Sequence, residues 1–269
     1  MVTVALMGPK AAQVRPRIEG RGLRYGAPMT SWEPSFDFYL TELDGAVATV
    51  VVDLHARPVP THGHCVVVSA TLKQARADGL RDEGELEAMG ALEDQLVARL
   101  VDADALYVGR VTTRGEVRFV FYARGEGVQV PATLAGYALK VTAAADPAWD
   151  TFARVLFPNL LELQEVFNRR LLVQLEGSGD VLTAPRTLDH HALFEVEAGA
   201  GAAGLELGAL GYAVDPVSKG DDGRFSLQFH REDSLADGRV DAVCAEVMGV
   251  VARHGGDYDG WGCPVVRGA

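Results

Sequence analysis

Apolar and polar positions alternate in some stretches of the chain and recur every three or four residues in others, and the changes between the two patterns mark the elements. Phe36, Phe38 and Leu40 alternate with Asp37, Tyr39 and Thr41, and Asp44-Gly45 is a two-residue turn signal before the apolar run Val47 to Leu54. A β-hairpin is predicted there. Cys65 to Leu72 reads as a third strand, after which Leu86, Met89, Leu92, Leu96 and Leu100 take the spacing of an amphipathic helix. Leu106 to Thr112 and Val117 to Tyr122 are expected to pair across Arg114-Gly115. A strand near Ala138 to Thr142 and helices from Trp149 onward complete a first domain. Asn159, with Glu162 three residues later, starts a helix striped by Leu160, Leu163, Phe167 and Leu171, and Gly177-Ser178-Gly179-Asp180 breaks that stripe.

Beyond the break the pattern reads strand (188–197), helix (200–210), strand (212–218), strand (224–230), helix (237–254) and strand (258–266). Phe225, Leu227 and Phe229 alternate with Ser226, Gln228 and His230, while Val240, Val243, Cys244, Val247 and Val251 form a helical stripe ending at Gly255-Gly256. Gly199, Gly201, Gly204 and Gly208 lower the helix propensity of the first of these two helices. The order βαββαβ is that of a ferredoxin-like sandwich. The expected class is therefore α+β, with two α/β-sandwich domains: a mainly antiparallel sheet with covering helices over 31–176, and a ferredoxin-like domain over 177–269. A length of 269 residues suits two domains of about 100 to 150 residues each. Residues 1–30 are basic, contain Gly and Pro and show no periodicity, so they are expected to form a disordered leader. Translation from Met29 would remove most of it.

Composition narrows the function. No apolar run reaches the roughly 20 residues that span a bilayer, and the start lacks the layout of a secretory signal, so a cytoplasmic protein with no membrane partner is expected. Cys65, Cys244 and Cys263 are odd in number and lack CxxC spacing, which argues against a disulfide framework or a thiolate zinc site. A net charge of −12 disfavours direct binding to a nucleic-acid backbone, which depends on Lys and Arg displacing counterions. From Glu176 onward there are 16 acidic and 7 basic residues, so −9 of the −12 lies in the last third of the chain. A basic segment of another protein is a natural partner for such a surface, although an acidic face can also serve solubility alone.

The most specific local motif is Tyr258-Asp259-Gly260-Trp261-Gly262, preceded by Asp257. Two glycines around a tryptophan let the backbone turn sharply and either present or bury the ring, and aromatics beside carboxylates suit an arginine-bearing partner. The alternative is that Trp261 and Tyr258 pack the last strand onto the sheet. Together with His190-His191 and Leu210-Gly211-Tyr212, this motif resembles the regulator of ribonuclease activity B family over about residues 180–266. The resemblance implies an acidic, ferredoxin-like protein that binds ribonuclease E and restrains its RNA cleavage without catalysis. The family pattern includes a long acidic C-terminal tail, and this chain ends at Val266-Arg267-Gly268-Ala269 soon after the motif, which leaves the identity of the ribonuclease open. The first domain is similar to a bacterial domain of unknown function that often precedes this one. That likeness is carried by Gly109-Arg110, Thr113, Gly115, Phe119, Tyr122, Leu92-Glu93-Asp94 and Asp146-Pro147-Ala148-Trp149.

Other chemistry finds little support. Asp53, His55, His62, His64 and Cys65 lie close in sequence, but Pro58 and Pro60 make the intervening segment irregular and nothing fixes a ligand geometry. Asp189-His190-His191 invites a catalytic reading but lacks an accompanying nucleophile motif. Phosphate-cradling loops, Gly-x-Ser-x-Gly elbows and His-Glu-x-x-His helices are absent. The expectation is a non-catalytic protein without cofactor or metal. Its partner-binding residues are taken as Asp257, Tyr258, Asp259, Gly260, Trp261, Gly262 and His190, directed at a protein with a basic segment, such as a ribonuclease. The alternatives are a hydrolase or metal-dependent enzyme with an inter-domain site drawn from His55, His62, His64 or His190, and a structural module that assembles into homo-oligomers.

Overall fold

The computed structural model describes residues 3–5, 32–236 and 238–268. By contacts the chain divides into two compact units, one extending to Glu162 and the other running from Leu163 onward. The second also contains a short strand, β1 (Thr3–Ala5), whose backbone pairs antiparallel with the last strand of the chain. The rest of the expected leader, Met29 included, lies outside the described residues.

In the first unit, β2 (Phe36–Leu43), β3 (Ala46–Asp53) and β4 (His64–Thr71) are followed by helix α1 (Leu86–Asp102), then β5 (Leu106–Thr113) and β6 (Glu116–Ala123). A small hairpin, β7 (Thr133–Leu134) with β8 (Tyr137–Ala138), precedes β9 (Lys140–Ala145). The six long strands form one antiparallel sheet in the order β2-β3-β5-β6-β4-β9. Both expected hairpins form for the reason their turns suggest. Asp44-Gly45 and Arg114-Gly115 each place two successive residues at positive φ, the twist that matches paired strands. Val66, Val68, Val117, Phe119 and Phe121 alternate onto α1, which returns Met89, Leu92, Leu96 and Leu100. On the opposite side Trp149 stacks on Tyr122, with ring centroids 3.9 Å apart. The Tyr122 hydroxyl donates to Asp146 (2.7 Å) and accepts from the Phe152 amide (3.1 Å). Burial and the Asp146 carboxylate push the Tyr122 phenol well above its ordinary value.

Helix α2 (Leu160–Gly177) contributes its residues from Leu163 onward to the second unit. Next come β10 (Arg186–Phe194), α3 (Glu197–Ala209), β11 (Ala213–Val214), β12 (Ser218–Lys219), β13 (Phe225–Asp233), α4 (Arg239–Arg253) and β14 (Gly256–Pro264). The strand order β1-β14-β10-β13-β11, with β12 also on β13, is antiparallel throughout. Without β1, this is the ferredoxin-like arrangement, its second strand broken in two at Asp215-Pro216. Glycine-rich α3 is helical because the missing side chains let it approach closely. A Cβ on Gly199 would come within 2.6 Å of the His254 carbonyl oxygen, while Ala200, Ala203 and Leu207 are buried against the sheet. The domain boundary expected at 176/177 coincides with the end of α2. Contacts separate the units nearer its start, because Leu171 and Leu175 pack with Leu188, Val240, Cys244 and Trp261.

One position in the first unit is set by backbone approach. The register slips between Tyr107 and Gly109, where Gly109 takes φ 149° and a Cβ would sit 2.2 Å from the Val51 carbonyl oxygen. Gly109→Ala must push β5 away from β3, so a loss of about 1–3 kcal/mol is expected in urea denaturation, whereas Gly125→Ala, with open space around it, should be neutral.

Candidate partner-binding site

The alternation of β10 sorts its side chains. Leu188, His190, Ala192 and Phe194 are buried on the helix-covered side, and Asp189 and His191 face the other way. Because His190 pairs with Trp261 and Ala192 with Tyr258, those two rings of β14 share the inner side. A bulge between these pairs adds one residue, Asp259, and its carboxylate turns to the outer side.

Inside, Trp261 is 1 % exposed and its indole N–H donates to the Asn168 side-chain oxygen at 2.7 Å. The same oxygen accepts from the Gln164 amide (2.8 Å) and the Cys244 thiol (3.7 Å), and the Asn168 Nδ2 donates to Asp241 (2.7 Å). Two helices and β14 thus meet on one amide. The Tyr258 hydroxyl is hydrogen-bonded to His190 Nδ1 at 2.8 Å and lies 3.9 Å from the Cys244 sulfur. His190 stacks on Phe229 (5.3 Å) and meets the Tyr212 ring edge-on (5.7 Å), and its buried Nε2 has no hydrogen-bond partner among the described residues. Burial, followed by the Arg231 guanidinium, holds His190 down at about 4, so it is neutral near pH 7. Burial also raises the Tyr258 hydroxyl well above its ordinary range and pushes the Cys244 thiol up to about 12.

On the outer face, His191 Nδ1 lies 3.0 Å from an Asp259 oxygen and its Nε2 2.7 Å from the Ser226 hydroxyl. Asp189 stands opposite His230, Thr187 opposite Glu232, and Asp257 opposite Leu193. The outward positions of β10, β13 and β14 therefore carry Asp189, Glu232, Asp257 and Asp259 and no Lys or Arg. Gly260 and Gly262, paired with His191 and Asp189, add no side chains between them.

Of the seven residues expected to contact a partner, Trp261 and His190 are sealed in the interior, as is the Tyr258 hydroxyl, and Gly260 and Gly262 are buried. Asp257 is exposed and Asp259 half-buried. The aromatic part of the motif is core, and its carboxylates are surface. The sequence reading missed Asn168 and Ser226. A signal for Asn168 existed, because Gln164 and Asn168 are polar residues four apart on a helix face whose other buried members, Leu163, Leu171 and Leu175, are apolar. Ser226 had none, since its neighbours come from two distant strands.

Residues 165–263 match the family model of regulator of ribonuclease activity B. The matched segment begins inside α2 and so includes Asn168 as well as the Tyr258–Gly262 motif that the amide anchors. Residues 34–157 match the model of a family of unknown function, DUF695. No curated protein matches the chain. No helix among the described residues is long and apolar enough to cross a membrane.

Of the residues weighed for a metal site, Asp53, His55 and His62 are each engaged separately, and His64 Nδ1 is buried with no hydrogen-bond partner among the described residues. Asp53 is buried and accepts from the Trp32 indole, the Ser35 amide and the His55 amide. His55 Nδ1 bonds the Glu33 carbonyl oxygen, and His62 lies between the Thr61 hydroxyl and the Asp104 carbonyl oxygen. Among the described residues no group of three or more such side chains is placed to hold an ion. Cys65, Cys244 and Cys263 are free and buried, and burial raises all three thiols.

The neutral, enclosed His190 has a thermodynamic consequence. It titrates near 6.5 when unfolded and at about 4 when folded, so the unfolded chain binds more protons between these values. Its contribution is complete above about pH 6.5 and is lost as pH falls toward 4, by up to roughly 3 kcal/mol. In urea denaturation at pH 7 and pH 4.5, His190→Gln should remove most of this extra acid sensitivity. An unchanged pH slope would assign it to other groups.

Proposed function

We propose that the protein is a non-catalytic regulator of ribonuclease activity, acting in the cytoplasm by binding a protein partner through its second unit. The match of residues 165–263 to the ribonuclease-regulator family carries this reading, and the matched segment contains the whole Asn168–Trp261 arrangement that holds β14. The chemistry of the surface agrees with binding. Asp257 and Asp259, from the expected partner-binding set, lie on a sheet face where the outward positions of β10, β13 and β14 bear acids and no Lys or Arg, which suits a basic segment of a ribonuclease E-like enzyme and disfavours direct contact with RNA. Trp261, Tyr258 and His190 support that surface from within.

One observation favours the hydrolytic alternative. Ser226, His191 and Asp259 are linked in the order nucleophile, base and orienting carboxylate. Acyl transfer also needs N–H donors converging on the developing oxyanion. Ser226 lies in the middle of the sheet, flanked by Leu193 on β10 and Ser218 on β12, where neighbouring amides belong to the ladders. The trio is better understood as a polar clamp across β13, β10 and β14.

The test is an RNA-cleavage assay with a purified ribonuclease E-type enzyme, with and without the full-length protein. A saturable fall in cleavage rate is expected, shrinking several-fold between about 50 and 500 mM salt as surface charges are screened. An unchanged rate at large molar excess would refute the regulatory reading.

A further inference from the structure

β14 is paired unequally along its two sides. Its inner side runs beside β10 from Gly256 to Gly262, whereas on its outer side β1 pairs only with Gly262, Cys263 and Pro264. Among the described residues no strand takes up the outer side from Gly256 to Gly260. A row of unpaired N–H and C=O groups at a sheet edge is a template for another strand, and edges are commonly blunted by lysine or proline. Gly256 to Cys263 contains neither; this edge is guarded instead by the bulge at Asp259 and by the Asp257 and Asp259 charges, which repel an acidic strand and not a basic one. The edge already accepts an extended antiparallel segment, since β1 sits on it, and three paired residues make a short, weakly held strand.

We infer that the outer edge of β14 receives an extended segment of the partner protein as an added antiparallel strand, with Lys or Arg at alternate positions. This deepens the binding reading above and rests on it. Charge selects the occupant. Side chains of the added strand on the outer face lie beside Asp257, at a cross-strand spacing of about 5 Å, with Asp259, Asp189 and Glu232 further along the same face. Arg224, the last residue before β13, is engaged by Asp222 through both its amide and its guanidinium and lies within electrostatic reach of Asp257, so a basic strand competes with it for that carboxylate. The intervening side chains fall on the helix side, near the half-buried Tyr258 ring and Phe194, where β-branched residues fit. The strand continues the row that β1 begins and competes with β1 if it extends past Gly260.

The test uses the full-length protein and a labelled nonapeptide of alternating Arg and Val, with a Glu/Val peptide as control. In hydrogen–deuterium exchange the Arg/Val peptide should slow exchange of outward amides within Gly256–Gly260, and the Glu/Val peptide should not. Asp257→Lys, an exposed change that leaves the melting temperature unaltered, should weaken Arg/Val binding about tenfold by fluorescence anisotropy. Protection confined to other strands, or equal affinity for Asp257→Lys, overturns the inference. So does protection of Gly256–Gly260 that grows with protein concentration without peptide, because a second copy then owns the edge. If Asp257→Lys still restrains the ribonuclease and the peptide leaves β14 exchange unchanged, the edge proposal fails while the regulatory reading stands. If the unmodified protein restrains no ribonuclease but binds the peptide at β14, the regulatory reading fails and the edge remains a basic-strand receptor.

Discussion

The hydrogen bond from the Trp261 indole to the Asn168 side chain is the constraint on which the second unit depends. A buried indole N–H without an acceptor costs about as much as several methylene groups of burial return, so Trp261 can be interior only if α2 places an amide opposite it. Asn168 does so from a fully buried position, and its remaining donor is taken by Asp241 of α4. One amide therefore registers two helices against the last strand. That requirement draws α2 into the unit from Leu163 onward, and the family match beginning at residue 165 follows the same boundary.

Fixing β14 from the inside determines what the chain presents on the outside. With Trp261 opposite His190 and Tyr258 opposite Ala192, strand alternation leaves Asp257 no choice of side, and the bulge sends Asp259 out to His191. The two faces of one strand then do different work. The inner face of β14 is apolar and neutral, beside a His190 kept uncharged by burial, and the outward positions of β10, β13 and β14 concentrate carboxylates with no Lys or Arg among them. The sheet keeps the carboxylates out of the core, although the Asp259 charge still reaches the buried Tyr258 hydroxyl and helps to raise it.

Much of this was legible from periodicity. The hairpin turns at Asp44-Gly45 and Arg114-Gly115, the α1 and α4 stripes and the order βαββαβ follow from local sequence, because turn chemistry and strand alternation act over a few residues. The C-terminal end of α3 was legible to within a residue, but its start was expected at 200 and lies at Glu197; its glycines argue against a helix, and what favours it is close contact with the His254 carbonyl, a tertiary effect. At the site, the Tyr258–Gly262 motif stood out, yet sequence alone left open which way its rings face. That depends on the bulge at Asp259 and on the pairing of β14 with β10, a strand about seventy positions earlier. Ser226 escaped notice because its partners come from distant strands, whereas Asn168 left a local trace in Gln164 four residues earlier but takes its role from Trp261, far along the chain.

The coupling between Trp261 and Asn168 can be read from a double-mutant cycle. Trp261→Phe keeps most of the ring and removes the N–H, Asn168→Ala removes the acceptor, and urea denaturation of the two single variants and the double variant yields the interaction energy. A coupling of about 1–3 kcal/mol is expected, since Asn168→Ala leaves the buried indole N–H without an acceptor, a cost that disappears when Trp261→Phe has already removed the N–H. Additive effects within about 0.5 kcal/mol would mean that the two side chains do not depend on each other, and β14 would need a different anchor.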